Sequence, residues 1–174
     1  MRNIRIMYQY DGSKYYGFQR QKNKDTVQGD IEKIVFSKFN EKINMTSSGR
    51  TDRGVHALGQ VSNFSISKKI PLDAIKQQIN KTLRGRVKIL SIEEIHADFN
   101  ARFDAKRRTY LYVLKNESKI TPFEAPYVTS IKEEIDIDKL QLIFQPLAGV
   151  HDFSSFAKKD EAMRNPVREI YSID

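Results

Sequence analysis

The chain has 174 residues, 39% of them hydrophobic and 30% charged, which is a soluble globular balance with enough chain to bury a core. Lys and Arg total 30 against 22 Asp and Glu, a formal charge of +8; such a surplus favours a polyanionic partner, because cationic side chains that neutralise phosphates release counterions, although it also serves solubility. With no cysteine, a disulfide framework, a thiolate zinc site and a cysteine nucleophile are excluded.

Residues 3–10 alternate, with Ile4, Ile6, Tyr8 and Tyr10 on one face and Arg5 and Gln9 on the other, which predicts a strand. Asp11-Gly12-Ser13 closes it with turn chemistry. Val27, Ile31, Ile34, Val35 and Phe39 recur at helical spacing, and Asp25 with Gln28 resembles a capping box. A short strand is expected near Ile43–Thr46, a loop from Gly49 to Gly54, and a strand over 59–66 with Ser62, Phe64 and Ile66 on one face. Pro71 suits the first position of a second helix carrying Leu72, Ile75, Ile79 and Leu83, which Gly85 ends. Val87–Ile92 reads as a further strand. The order over about 95 residues is β-α-β-β-α-β, a ferredoxin-like pattern of antiparallel sheet with helices on one face.

The stretch Asp98–Lys106 is the expected boundary, separating an N-terminal ferredoxin-like domain (1–100) from a partial C-terminal domain (105–174). Tyr110, Tyr112 and Leu114 alternate with Leu111 and Val113 and predict a strong strand. Ile137, Leu140, Phe144 and Leu147 mark a helix that Pro146 should shorten or kink. Val167 to Ile173 reads as a strand without a partner in sequence, so this half looks unfinished.

The densest chemistry is Gly49-Arg50-Thr51-Asp52-Arg53-Gly54-Val55-His56-Ala57. Two glycines allow a sharp turn and close approach to a ligand. One carboxylate between two arginines stays ionised, and an ionised carboxylate beside cations suits nucleophilic attack or stabilisation of a developing cation. By charge pattern alone such a stretch is more often an Asx-type turn with exposed arginines. The run GRTDRGVHALGQVSNF resembles the active-site motif of TruA-type tRNA pseudouridine synthases, written G-R-T-D-x-G-V-H-A. Three more segments resemble that family in the same order: residues 10–21 (YDGSKYYGFQRQ), Phe99–Phe103 with Arg107–Tyr112, and His151–Phe156.

The resemblance implies an α+β pseudouridine synthase fold of two ferredoxin-like halves around a basic cleft, with mainly antiparallel sheet. It implies isomerisation of uridines in a tRNA anticodon stem-loop, with Asp52 as the catalytic carboxylate, Arg50 paired with it and Tyr110 against the base, a tyrosine that spacing alone would make a cross-strand packing residue. No metal or cofactor is implied, because the reaction adds and removes nothing overall. A homodimer is implied as well. Family members continue past Asp174 with a strand and an arginine-bearing helix, so the resemblance implies an incomplete second half and weak or no activity of this chain alone.

A target base must be flipped from its stem, and aromatic and basic side chains are suited to receive it. Lys14, Tyr15, Tyr16, Phe18, Gln19, Arg20 and Lys22 form one such stretch; Arg53 and His56 flank the aspartate; Arg102, Lys106, Arg107 and Arg108 precede Tyr110; Lys158 and Lys159 follow Phe156. Each strip by itself is commonly a solvated face. His56, His96 and His151 share no ligand spacing, which argues against a metal site. The β-α-β-β-α-β order is also that of an RRM, a non-catalytic RNA-binding module, but the aromatic run that stacks bases in its strands is missing and Asp52 would have no task. No stretch reads as a signal peptide or reaches the ~18 apolar residues of a membrane span, so a cytoplasmic location is expected by default.

Overall fold

A computed structural model describes residues 1–156 and 165–174. They form two compact units: residues 1–113 with 121–129, and residues 114–120 with 130–174.

The first unit holds β1 (Arg2–Tyr10), α1 (Val27–Phe39), β2 (Thr46–Ser47), β3 (Ala57–Ile66), α2 (Leu72–Thr82) and β4 (Val87–Ile95). This is the β-α-β-β-α-β order that the periodicities predict. The strands make one sheet in the order β2-β3-β1-β4, with every neighbouring pair antiparallel. Alternation along β1 sends Ile4, Ile6 and Tyr8 into full burial with Val27, Ile31 and Val35 of α1 and Ile75 and Ile79 of α2. Each such side chain contributes about 1.5–3 kcal/mol of transfer free energy, so the core of the molecule lies between this sheet face and the two helices.

The helix ends differ from the sequence expectation in their caps. The N-cap of α1 is Thr26, whose hydroxyl accepts from the Gly29 N–H, rather than an Asp25–Gln28 box. Gln28 instead turns inward to Glu32 and to the Met45 carbonyl. Asn40 ends α1 in the left-handed region at φ 50°, a conformation that asparagine tolerates. Pro71 stands just before α2 as its N-cap, not at its first helical position. Ile43 and Met45 are buried, but the strand that follows them is only Thr46–Ser47.

β4 forms one edge of the sheet, and α2 closes part of that edge. Asn80 bonds both the N–H (2.6 Å) and the carbonyl (3.1 Å) of Ile89, and Lys76 Nζ donates to the Leu90 carbonyl (2.7 Å). The pairing with β1 shifts register here and skips Leu90, which is why the polar groups turn outward.

The second unit contains β5 (Leu114–Asn116), most of β6 (Thr129–Ile131), α3 (Ile137–Phe144), β7 (Gly149–Asp152) and β8 (Val167–Ile170). A 3-10 turn at Gln145–Leu147 replaces the last turn of α3 where Pro146 interrupts it. Two expectations are corrected. The last strand is paired: β8 runs antiparallel to β7, from Gly149↔Ile170 to Asp152↔Val167. The strong strand at 110–114 is absent, since Tyr110–Val113 have no regular structure and are 44–80% exposed. Apolar residues on both of its faces would require a sheet to pair with, and among the described residues its backbone receives one such bond, from Thr129 N–H to the Val113 carbonyl. α3 buries none of its residues.

Asn80→Ala should lower stability by about 1–3 kcal/mol, the scale for a backbone N–H and carbonyl left unsatisfied. A urea melt would show it as a lower midpoint at constant slope.

Candidate functional site

The Asp52 loop is the connection between β2 and β3, and the first unit anchors it from three sides. At its base, Ser48 N–H donates to the Val61 carbonyl (2.9 Å), Gln60 Nε2 donates to the Gly49 carbonyl (2.8 Å), and Arg108 grips the Ser48 carbonyl through Nε (2.9 Å) and Nη2 (2.6 Å). In its middle, the Thr51 hydroxyl meets the Tyr10 hydroxyl at 2.8 Å, and the Thr51 carbonyl accepts from the Phe18 N–H at 3.0 Å. Asp52 then opens a tight turn, with Val55 N–H donating to its carbonyl (3.3 Å) and Gly54 at φ +85°.

That turn lies directly on Gly12. A Cβ built on Gly12 would stand 2.0 Å from the Val55 carbonyl oxygen and 2.5 Å from its carbon. Both are backbone atoms that cannot rotate away, so position 12 admits no side chain while the turn keeps this place. Gly17, at φ +104°, lies beneath Thr51–Arg53 in ordinary contact.

His56 completes the anchoring. Its Nε2 lies 2.8 Å from the Pro126 carbonyl; a carbonyl only accepts, so Nε2 carries the proton. Its Nδ1 accepts from the Gly12 N–H at 3.2 Å and lies 3.2 Å from Asp11 Oδ1. Tyr127 packs against the His56 ring at a tilt of 44° (centroids 5.0 Å apart) and donates its hydroxyl to Asp11 Oδ2 (3.2 Å). Partial burial opposes charge on Asp11, but the Ser13 hydroxyl and N–H, the His56 ring and Tyr127 outweigh it and hold the carboxyl below its ordinary value. The same carboxylate pushes the Tyr127 hydroxyl upward.

Asp52 itself is exposed, as are Arg50 and Arg53. Among the described residues no ion pair joins Arg50 to Asp52; the pairing implied by resemblance is not formed. Arg53 lies over the ring of Tyr16, its guanidinium carbon 4.7 Å from the centroid, and Lys24 approaches the same ring at 5.4 Å. Tyr110 is 72% exposed and makes no hydrogen bond or ring contact with the loop.

Beside the loop lies a polar pocket of about 300 Å³, lined by Arg20, Arg50 and Arg102 together with Gln19, Gln28 and Ser47 among others. Arg20 is paired with the buried Glu32 (2.7 Å), whose other oxygen accepts from Gln28 and from the Met45 N–H.

Two residues of the aromatic strip are corrected. Tyr15 and Phe18 are each 2% exposed and belong to the core, so neither ring can stack a base. Burial also raises the Tyr15 hydroxyl well above its usual range, with the Asp30 carboxylate adding to the effect. Lys14, Tyr16, Gln19 and Arg20 of that strip are exposed, and so are Arg102, Lys106, Arg107 and Arg108. Lys158 and Lys159 lie outside the described residues.

The sequence reading missed Asp11, Pro126 and Tyr127 as anchors of the loop. Asp11 stood in a recognised turn. Nothing local links Tyr127 to His56, since 71 residues separate them and only the fold brings them together.

Residues 6–104 match the tRNA pseudouridine synthase family. The chain is 38% identical to tRNA pseudouridine synthase A of Caldicellulosiruptor bescii, across 99% of this chain and 70% of the relative. It is 35% identical to tRNA pseudouridine synthase A 2 of Bacillus cereus (100% and 71%) and 38% identical to tRNA pseudouridine synthase A of Borrelia turicatae (98% and 70%). An exposed aspartate on a loop clamped to a mixed α/β scaffold, and a match covering most of that scaffold, define an isomerase class. The chain belongs to the tRNA pseudouridine synthase family.

Gly12→Ala should displace the 52–55 turn and lower turnover by about 10²-fold, the scale for a misplacement near 1 Å, and should lower the melting temperature as well, because Gly12 is buried and the displaced turn disturbs the Tyr10–Thr51 and Gly12–His56 bonds. Asp11 gives a pH test. Its folded pKa lies below the unfolded value of about 3.9, so its contribution to stability is complete above that value and is lost as the pH falls through the folded pKa. The gap in melting temperature between the wild type and Asp11→Asn should therefore be full at neutral pH and shrink below about pH 4.

Proposed function

We propose that the chain is a tRNA pseudouridine synthase that isomerises uridine with Asp52 as its catalytic carboxylate. The observation that carries this reading is the placement of Asp52: it heads a turn whose backbone is fixed by Thr51, Gly12 and His56, yet its own carboxylate makes no side-chain bond among the described residues and faces solvent. A structural aspartate at such a turn would spend its oxygens on nearby N–H groups, as Asp11 does on Ser13.

The reaction breaks the C–N glycosidic bond, turns the uracil and joins its carbon 5 to the sugar, with the carbon 5 proton leaving and a ring nitrogen gaining one. Asp52 can take part by attacking the sugar, by removing a sugar proton to give a glycal, or by attacking the base. No atom is gained or lost overall, so the chemistry needs no redox cofactor or metal. Because the base must leave its stack, the exposed side chains near the loop take the RNA: Arg50 and Arg53 beside the aspartate, Tyr16 under Arg53, and Lys14, Gln19, Arg20, Arg102 and Arg107 around them. Arg108 and His56 act by holding the loop. Tyr110 is read as the residue that meets the flipped base. The same reading assigns an anticodon stem-loop as the tRNA region, two ferredoxin-like halves (1–100 and a partial 105–174) as the architecture, a homodimer as the working state and the cytoplasm as the location.

The test is Asp52→Ala, assayed by mass-spectrometric mapping of pseudouridine in tRNA incubated with the chain. Modification should fall by at least roughly 10²-fold, the scale of a lost acid–base group or more, while tRNA affinity stays within a few-fold. Undiminished modification by the variant would refute the assignment.

A further inference from the structure

Two asparagines, Asn3 near the start of β1 and Asn63 inside β3, stand on the sheet face opposite the helices. Asparagine is depleted in strands because its side chain competes for backbone hydrogen bonds, so two of them at adjoining positions of β1 and β3 call for a specific use. Asn3, 7% exposed, donates from Nδ2 to the carbonyls of His96 (3.1 Å), Ala97 (3.3 Å) and Phe99 (3.0 Å). Asn63 donates to Asn3 Oδ1 (3.0 Å) and the Phe99 carbonyl (3.2 Å), and its own Oδ1 accepts from the Ala101 N–H (2.9 Å). The pair thus binds three carbonyls and one N–H of a segment that has no strand or helix of its own.

The next residue is Arg102. It sits in a turn closed on itself, with Asp104 N–H on the Asn100 carbonyl (2.9 Å), Arg102 N–H on Asn100 Oδ1 (3.0 Å) and Asn100 N–H on Asp104 Oδ2 (2.8 Å). Ala101, 2% exposed, pins that turn to the sheet. Arg102 lines the pocket shared with Arg20 and Arg50, and its guanidinium carbon stands 5.4 Å from the centroid of the Phe103 ring. Glu32 balances Arg20, whereas among the described residues no carboxylate pairs with Arg50 or Arg102, so the pocket carries uncompensated positive charge. Planar guanidinium forks fit phosphate oxygens in a bidentate manner.

We infer that Asn3 and Asn63 are positioning residues that hold Arg102 in this pocket, where it binds one backbone phosphate of the RNA. This rests on the tRNA-modifying reading, and it assigns to two strand residues a task in substrate binding that their place in the sheet does not require.

The test measures tRNA affinity of the chain as a function of sodium chloride concentration for the wild type, Arg102→Ala, Asn63→Ala and the double variant. Arg102→Ala should reduce the slope of log affinity against log salt by about 1, the signature of one lost phosphate contact. Asn63→Ala should reduce it nearly as much, and the double variant should be no weaker than Arg102→Ala alone. A purely structural asparagine would lower the melting temperature without changing the slope, and its effect would add to that of Arg102→Ala. Asn3→Ala removes the donor to the His96, Ala97 and Phe99 carbonyls without changing charge, so it carries the same test if Asn63→Ala does not fold. A wild-type slope in a folded Asn63 or Asn3 variant, or additivity in the double variant, would overturn the positioning role; a wild-type slope in Arg102→Ala would overturn the phosphate site. Both outcomes leave the enzymatic reading intact provided Asp52→Ala still lowers modification, whereas undiminished modification by Asp52→Ala would strike that reading itself.

Discussion

The candidate site depends on a steric constraint at Gly12. The 52–55 turn rests on the backbone there with no room for a methyl group, and a Cβ would lie 2.0 Å from the Val55 carbonyl. Hydrogen bonds from Thr51, Gly12 and His56 then fix the turn on that contact. Steric exclusion sets the distance and the polar bonds set the direction. The consequence for Asp52 is a rigid backbone under a solvated carboxylate, which is the combination a reacting group needs: its position is fixed without its oxygens being used.

Cations around the loop divide by task. Arg108 spends its guanidinium on a backbone carbonyl at the loop base, Arg20 on the buried Glu32, and Arg53 on the face of Tyr16. Exposed arginine–carboxylate pairs contribute little to stability, but Glu32 is buried and also receives the Met45 N–H, so the Arg20 bond ties the pocket to the core beneath it. Net charge alone therefore overstates what is available to a polyanion, and of the three pocket arginines Arg50 and Arg102 are those with no carboxylate partner among the described residues.

Much of the first unit was legible in the sequence, because its burial follows simple periods: alternate residues of β1 and i, i+3, i+4 residues of α1 and α2 face one core. The Asp52 loop was legible as a motif. Three kinds of feature were not. Tyr15 and Phe18 read as a binding strip because composition does not reveal which side of an irregular segment faces inward. The run at Tyr110–Val113 has strand propensity, but a strand also needs a partner, and periodicity is blind to partners. The pairing of β7 with β8 joins residues across a segment with no hairpin signature. Asn3 and Asn63 left a faint signal, as polar residues poorly suited to strand interiors, and their meaning came only with the segment they bind.

The Asn80 and Lys76 bonds to β4 have a consequence for how damage to this molecule would present itself. An edge strand with free N–H and carbonyl groups is a template for intermolecular sheet growth, and Val87–Ile92 includes several of the most apolar side chains in the sheet. Because two helix side chains occupy part of that edge, folding of α2 and colloidal solubility are linked. A lesion that frays α2 would leave Asp52 chemically sound and still remove the protein by precipitation, so insoluble yield, rather than slowed turnover, is the phenotype to associate with that helix.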